Sequence, residues 1–387
     1  MRLLYLNHNY RHSGTYYRAM PMAKEMLLRG HDVTLFTVSP SNRWRTKWST
    51  AGGVRLCEAP NLALGQTGEG YGLLDNLLRI GHAARHRYDI IHMFDHKPNA
   101  TFAGYPGRFL GACLIADWAD WWGGESGINS AARGGFPSVA AFEAFWEERS
   151  KLWADGVVAI SSELERRAIS IGCDPHCVTR IPTGAPIDRI TPMNTLEARE
   201  SLSIAHPGRI VGFIGMGQGD LHIVMNALQE LPDTWLMIIG KKREETYRLA
   251  QDCGVEARVW QTGYIADYQV GQYLACADVM CLPMEDTDAN RGRFPNKMLD
   301  YLAAGRPTVA SPVGDIENLV AAHDIGLLAN YDEFAAAIQQ LLSSPQLRKR
   351  MGRNARHLAE TEFAWPYVTN RLEQFYARVL SDEITGH

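Results

Sequence analysis

The chain has 387 residues, 46% hydrophobic and 21% charged, which is enough for two domains of ordinary size, each with its own core. A net charge of −4 argues against a nucleic-acid-binding role. No run of about eighteen apolar residues is present to form a membrane-spanning helix, and the seven scattered cysteines fit neither a zinc site nor a secreted disulfide framework. The odd cysteine count and the short, polar start MRLLYLNHNY lead to the expectation of a cytoplasmic protein with reduced thiols.

Strand-like and helix-like patterns alternate from the start, which predicts α/β layers built on parallel sheets. LLYLNH is a short apolar run, PMAKEMLLRG has helical spacing and stops at Gly30, and HDVTLFTVS is the next strand. Together they have the size of a βαβ crossover. In the loop after the first strand, Ser13 and Gly14 would let backbone approach a ligand closely, although any tight turn at this place asks for such residues. Arg18, in the first turn of the helix, is expected to point to solvent. RWRTKW, residues 43–48, interleaves bases with tryptophans. It suits an anionic membrane surface, a lipid-linked acceptor or an ordinary loop.

YDIIHMF and ACLIADW are two further strands. Ligands gather at the carboxyl ends of parallel strands, so the polar residues that follow each strand are site candidates. His92, Asp95, His96 and Lys97 form a dense polar cluster. His92 stays open between a structural and a functional role. His96 is read as functional, hydrogen-bonding a sugar or assisting proton transfer. No metal-ligand spacing is present, and no metal is expected. ADWADWWGG then brings Asp117 and Asp120 beside Trp118, Trp121 and Trp122. Carboxylates bind sugar hydroxyls and indole faces stack on sugar rings; the alternative is a helix start with acidic caps and core tryptophans. VAAFEAFWEERSKLWA reads as an amphipathic helix, GVVAISS as a strand, and SSELERRAISIG as a helix behind a capping serine. VTRIPTGAPIDRITP, with three prolines and a glycine, reads as a hinge.

A second alternating block follows, with GRIVGFIGMG, TWLMIIGK, ARVWQTGY, ADVMCLPM and RPTVASPV as strands. The most informative stretch is NRGRFPNKMLDYLAAGRPTVAS, residues 290–311. Pro295 sits at a helix start, where its missing N–H costs nothing. Asn296 and Lys297 lie in the first turn, where free N–H groups and the helix dipole attract anions. Asp300 comes one turn later, and the helix ends at Gly305 with Pro307 beyond it.

This segment resembles the nucleotide-sugar motif of the retaining GT-B glycosyltransferases, which have two facing Rossmann-like domains with a cleft between them, and in particular that of glycosyltransferase family 4. That family has two glutamates separated by seven residues, followed by an A-x-G-x-P-V-V-A run. Asp300 matches the second glutamate, which in the family holds the donor ribose. Counting back places Gly292 where the first should stand, and Glu285, Asp286 and Asp288 are out of register. The resemblance implies an acceptor-side domain over 1–185, a nucleotide-sugar domain over 186–364, and a closing helix over 365–387 that crosses back, kinked at Trp365 and Pro366.

It also implies roles for single residues. Ser13 and Gly14 would lie near the donor phosphates, and Asp120, Asp117 and His96 would carry the first-domain chemistry. Gly215 and Gly217 would form the glycine-rich turn, which here lacks the family's basic pair. Lys241, Arg293, Asn296 and Lys297 would meet the diphosphate, and Gly263 and Tyr264 the nucleobase. The function so implied is metal-independent transfer, with retention, from a UDP- or GDP-sugar to a sugar, small-molecule or lipid-linked acceptor. No cofactor and no nucleic-acid partner are expected, and a peripheral membrane contact is a further expectation. The alternatives are a nucleotide-sugar epimerase or hydrolase on the same fold, or a catalytically weak sugar-binding protein or partner subunit. Gly292 and the absent basic pair favour the last.

Overall fold

The computed structural model describes all residues other than 42–43, 62–69, 125–126, 129–136, 205–207, 216–219 and 386–387. Its contacts divide the chain into two compact units. One is Met1–Thr183 with Thr287–Phe294 and Trp365–His387; the other is Gly184–Asp286 with Pro295–Ala364.

In chain order the first unit contains β1 (Arg2–Tyr10), α1 (Tyr16–Leu28), β2 (Asp32–Val38), β3 (Lys47–Ala51), β4 (Val54–Ala59), α2 (Leu73–Ala83) and β5 (Ile90–Phe94). There follow α3 (Pro98–Thr101), α4 (Gly104–Phe109), β6 (Cys113–Trp118), α5 (Pro137–Leu152), β7 (Gly156–Ala159), α6 (Ser162–Ser170) and β8 (Val178–Arg180). The sheet runs β3-β4-β2-β1-β5-β6-β7-β8, parallel except where β3 lies antiparallel on β4. Period-two alternation splits β1 between two cores: Leu3 and Tyr5 face α1, while Leu4 and Leu6 pack with Ala83 of α2 and Ala100 of α3. The winding direction reverses between β1 and β5, which opens a crevice at their carboxyl ends.

RWRTKW is not a plain loop: Lys47 and Trp48 open the edge strand β3, while Arg43 lies outside the described residues. The hairpin turns on Gly52 and Gly53, with φ of 56° and 85°, the left-handed values a two-residue turn demands. The proline-rich segment read as a hinge begins with strand β8.

The second unit contains α7 (Thr195–Ser201), β9 (Arg209–Ile214), α8 (Leu221–Gln229), β10 (Thr234–Ile239), α9 (Glu244–Asp252), β11 (Val259–Gln261), α10 (Val270–Cys276) and β12 (Val279–Leu282). The short α11 (Asp288–Gly292) groups with the first unit. The second unit resumes with α12 (Asn296–Ala303), β13 (Thr308–Ala310), α13 (Asp315–His323), β14 (Gly326–Leu328), α14 (Phe334–Ser343) and α15 (Pro345–Thr361). Its sheet is parallel throughout, in the order β11-β10-β9-β12-β13-β14, with the reversal between β9 and β12. Both units are therefore Rossmann-like.

The final helix, α16 (Trp365–Thr385), places Val368, Leu372, Phe375, Tyr376 and Val379 in the core beside α1. The helix begins at Trp365, so Pro366 sits in its first turn, where it starts the helix rather than bending it.

Candidate functional site

In the second unit, three glycines bare the carboxyl edge of neighbouring strands. Gly215, directly after β9, has φ 125°, and a Cβ there would stand 2.7 Å from Cε of Lys297. Gly240, directly after β10, has φ 148°, and a Cβ there would meet the Gly215 carbonyl oxygen at 3.0 Å. Gly240 in turn pairs with Gly263, whose φ is 84°. Only glycine permits these conformations and approaches together.

Lys297, in the first turn of α12, lays its Nζ 4.1 Å from the centre of the Phe213 ring, which holds the ammonium against this glycine edge. Tyr301 fixes the helix: its hydroxyl accepts from the Ile214 N–H at 3.2 Å and donates to the Cys281 carbonyl at 3.2 Å. Asp300 is half-buried, and its carboxylate makes no side-chain hydrogen bond among the described residues. Burial pushes it up to about 7, with Arg189 opposing. Asn296, Lys241 and Tyr264 are exposed, Tyr264 to 89%. Gly217 lies outside the described residues.

The carboxyl edge of the first sheet is built differently, from buried charges. Gly14 has φ 49°, and a Cβ would collide with Oδ1 of Asn9 at 2.2 Å. That oxygen accepts from the Thr15 N–H at 2.7 Å, so the glycine lets Asn9 close the loop, with Ser13 half-buried beside it.

After β5, Asp95 (φ 76°) accepts from the His96 N–H at 2.7 Å, from His96 Nδ1 at 2.6 Å and from Trp122 Nε1 at 2.6 Å. His96 Nε2 meets Glu143 at 2.7 Å, and Glu143 also takes Lys97 Nζ and the Tyr71 hydroxyl. Burial alone would lower the His96 pKa, but Asp95 and Glu143 outweigh it and raise it. His96 is 0% exposed, and both of its ring nitrogens lie on carboxylates.

Asp117 is likewise 0% exposed. It takes Arg18 Nε at 3.0 and 3.1 Å, the Arg18 terminal nitrogen at 2.9 Å and His92 Nε2 at 3.2 Å. His92 passes the chain on to the Tyr376 hydroxyl of α16. Burial lowers the His92 pKa, with Asp117 opposing. The structure therefore makes His92 a satisfied core histidine and corrects the expectation for Arg18, which is 3% exposed and neutralises Asp117.

Asp120 differs from both. It is half-buried and has no hydrogen-bond partner among the described residues. Burial first, then the charges of Asp95 and Glu147, push it up to about 7, while Arg293 pulls the other way. Arg293 is half-buried, and its Nε lacks a partner among the described residues. The loop that carries Asp120 hangs on Glu147 of α5. That carboxylate accepts from Trp118 Nε1 at 2.8 Å, the Trp122 N–H at 2.9 Å and the Gly123 N–H at 2.6 Å. Sequence reasoning missed Glu143 and Glu147. Their spacing of four puts them on one helix face, a signal hidden by the aromatics around them.

Gly292 has a packing reason. A Cβ there would stand 3.2 Å from Cβ of Trp121, whose indole is covered by the Arg167 guanidinium 3.7 Å from the ring centre. Ser161 ties the two segments, capping α6 through the Leu164 N–H at 3.2 Å and donating to the Gly292 carbonyl at 2.7 Å. No group of three or more metal-ligating side chains is found among the described residues.

Two family models match the chain: the glycosyl transferase 4-like domain over residues 13–184 and the glycosyl transferases group 1 domain over residues 208–344. The D-inositol 3-phosphate glycosyltransferase of Corynebacterium aurimucosum is 28% identical over 230 residues, 54% of this chain and 53% of that protein. A GDP-mannose-dependent phosphatidylinositol monomannoside mannosyltransferase of Mycobacterium tuberculosis is 25% identical, over 57% of this chain and 61% of that protein. The chain thus spans little more than half the length of the curated relatives it matches. Among solved structures, sucrose-phosphate synthase of Thermosynechococcus elongatus aligns with a TM-score of 0.79 at 18% identity, covering 98% of this chain and 99% of that one. Anabaena HepE in complex with UDP-glucose aligns with a TM-score of 0.72 at 19% identity, covering 99% and 100%. Their likeness establishes the fold, and with the two family models it places the chain: it belongs to the GT-B glycosyltransferases of family 4.

Proposed function

We propose that the protein transfers a sugar from a nucleotide-sugar donor to an acceptor hydroxyl with retention of anomeric configuration. The observation that carries this reading is α12: Lys297 at its first turn against the glycine edge, and Asp300 one turn on with a carboxylate that makes no side-chain hydrogen bond among the described residues. Residues 186–364 hold the donor. Asp300 accepts the ribose hydroxyls, and the bare backbone at Gly215 and Gly240 admits the diphosphate. Lys297 and the N–H groups of the first turn, with Asn296, neutralise the phosphate as it leaves. Lys241 stands at the rim, and Gly263 and Tyr264 offer a backbone turn and an aromatic face to the base. These fixed charges take the place a divalent metal would fill.

Residues 1–185 serve the acceptor, with Ser13 and Gly14 in the loop after β1. Asp120 accepts a hydrogen bond from a sugar or acceptor hydroxyl, and Arg293 balances its charge. Asp117 and His96 act as positioning residues, since the polar contacts they make among the described residues are with buried side chains of the chain itself. In the transfer, the bond from the anomeric carbon to the phosphate oxygen breaks. The acceptor oxygen bonds to the same face of that carbon, and its proton passes to the departing phosphate. The nucleotide sugar is a substrate, and no further cofactor enters the reaction. UDP- and GDP-sugars are the donor classes to try first, because UDP-glucose is bound to HepE and GDP-mannose is named for the mycobacterial relative.

Gly292, packed against Trp121 where the family has a glutamate, favours a second reading: a protein that holds the donor but transfers weakly. Nucleoside diphosphate release, measured for each donor with and without acceptor extracts, separates the two. Acceptor-dependent release, with a product that keeps the donor's anomeric coupling constant, supports transfer. Tight donor binding with no acceptor-dependent release supports the second reading, and an inverted product contradicts retention.

A further inference from the structure

Two helices on one face of the first sheet bury charged side chains and expose large apolar ones. On α2, Asp75, Asn76 and Arg79 are 2%, 9% and 0% exposed, whereas Leu73, Leu74 and Leu77 are 71%, 37% and 55% exposed. The buried polar residues bond to one another. Arg79 pairs with Asp75 at 2.5 Å and donates to the Asn7 carbonyl at 2.8 Å, and Asn99 donates to Asp75 at 2.7 Å. On α5, Glu143, Glu147, Ser150 and Lys151 are buried, while Phe142, Phe145 and Arg149 face outward. An ordinary surface helix would do the reverse.

The inversion extends across one layer. Tyr105 of α4 lies against Trp146 of α5 and against Trp153 just beyond it, and Trp48 of β3 leans on His82 of α2. Trp48, Phe109 and Trp153 are themselves 46%, 91% and 43% exposed. Charge is sorted in the same sense. Lys47, Arg55, Arg85, Arg87 and Arg149 are exposed, whereas the carboxylates of α2 and α5 point inward apart from Glu148, which Arg167 engages at 2.8 Å. Of the acids in nearby loops, Asp155 pairs with Arg108 and Asp89 accepts from the Arg2 N–H at 2.6 Å.

We propose that this face of α2, α4, α5 and β3 docks the protein on an anionic lipid bilayer. Leucine and aromatic tips among lysines and arginines, with the acids withdrawn, match what an interface of acyl chains beneath negative headgroups binds. A second copy of the chain on the same face would bring cations against cations, which disfavours self-association. Docking is independent of the transfer reading, because it is assayed with neither donor nor acceptor.

The test is co-sedimentation of the full chain with vesicles of phosphatidylcholine carrying about one third phosphatidylglycerol, against phosphatidylcholine alone. The wild type should pellet with the anionic vesicles and be released as salt is raised. Leu73→Glu with Leu77→Glu should weaken binding about tenfold or more, and Arg85→Glu with Arg87→Glu should do so independently. All four side chains are exposed, so wild-type circular dichroism confirms folding, and either pair decides the matter if the other fails to fold. Absence of binding to anionic vesicles, or binding that neither pair alters, overturns the proposal. So does a lipid-free dimer in sedimentation velocity that the leucine pair dissociates, which assigns the face to a second copy.

Discussion

Asp120 and Asp300 share an electrostatic condition that separates them from the other site carboxylates. Each is a half-buried acid without a hydrogen-bond partner among the described residues, and burial raises each to about 7 from 3.8. Between those values the folded chain holds these protons more tightly than the unfolded chain does. Their contribution is therefore fully present below the unfolded pKa and is lost as pH rises toward 7. Asp120→Asn removes one of the two groups. The variant should gain stability relative to wild type between about pH 4 and about pH 8, read as a growing difference in urea midpoint. Parallel midpoints would mean that Asp120 is not desolvated as described. The same substitution should cut transfer while leaving nucleotide affinity intact, because asparagine keeps the shape and loses only the charge.

α12 and the strand ends it faces make a unit that one methyl group can disturb. Gly215→Ala would place Cβ within 2.7 Å of Lys297 Cε, at a φ of 125°. It should strain the turn by about 1–3 kcal/mol and push Lys297 off the glycine edge. Affinity for a nucleoside diphosphate should then fall more than affinity for the nucleoside alone, by calorimetry, and equal losses would move the diphosphate elsewhere. This element was legible in the sequence, because local signals set it: a proline start, a glycine end and a strand behind it. The β3–β4 hairpin carries an equally local signal in Gly52 and Gly53, which the tryptophan-rich run before it masks. α2 and the inward face of α5 were hidden for a different reason. Hydrophobic periodicity assigns leucines and phenylalanines to the core, and here Asp75, Arg79, Glu143 and Glu147 occupy it. The Arg18–Asp117 pair joins residues 99 positions apart, a contact that no local pattern carries. Gly292 could be counted as a departure, but its packing against Trp121 could not be read from spacing.

At the scale of the molecule, the last helix completes the first core. Val368, Leu372, Phe375, Tyr376 and Val379 are all buried there, at roughly 1.5–3 kcal/mol for each large side chain, a sum comparable to the whole stability of a domain. Tyr376 also holds His92 and, through it, Asp117 and Arg18. A chain ending at Ala364 should therefore lose the cooperative unfolding of its first unit, seen by hydrogen exchange along β1 and β5; native-like protection there would show that α16 is dispensable. The central claim is that α12 holds a nucleotide sugar through Asp300. Its most direct test is the affinity of wild type and Asp300→Ala for UDP and GDP, measured by titration calorimetry. Loss of a charge-assisted hydrogen bond to the ribose, about 1.5–3 kcal/mol, predicts a fall on the order of ten- to a hundredfold for the nucleotide that binds. Unchanged affinity in a folded Asp300→Ala variant would contradict the account.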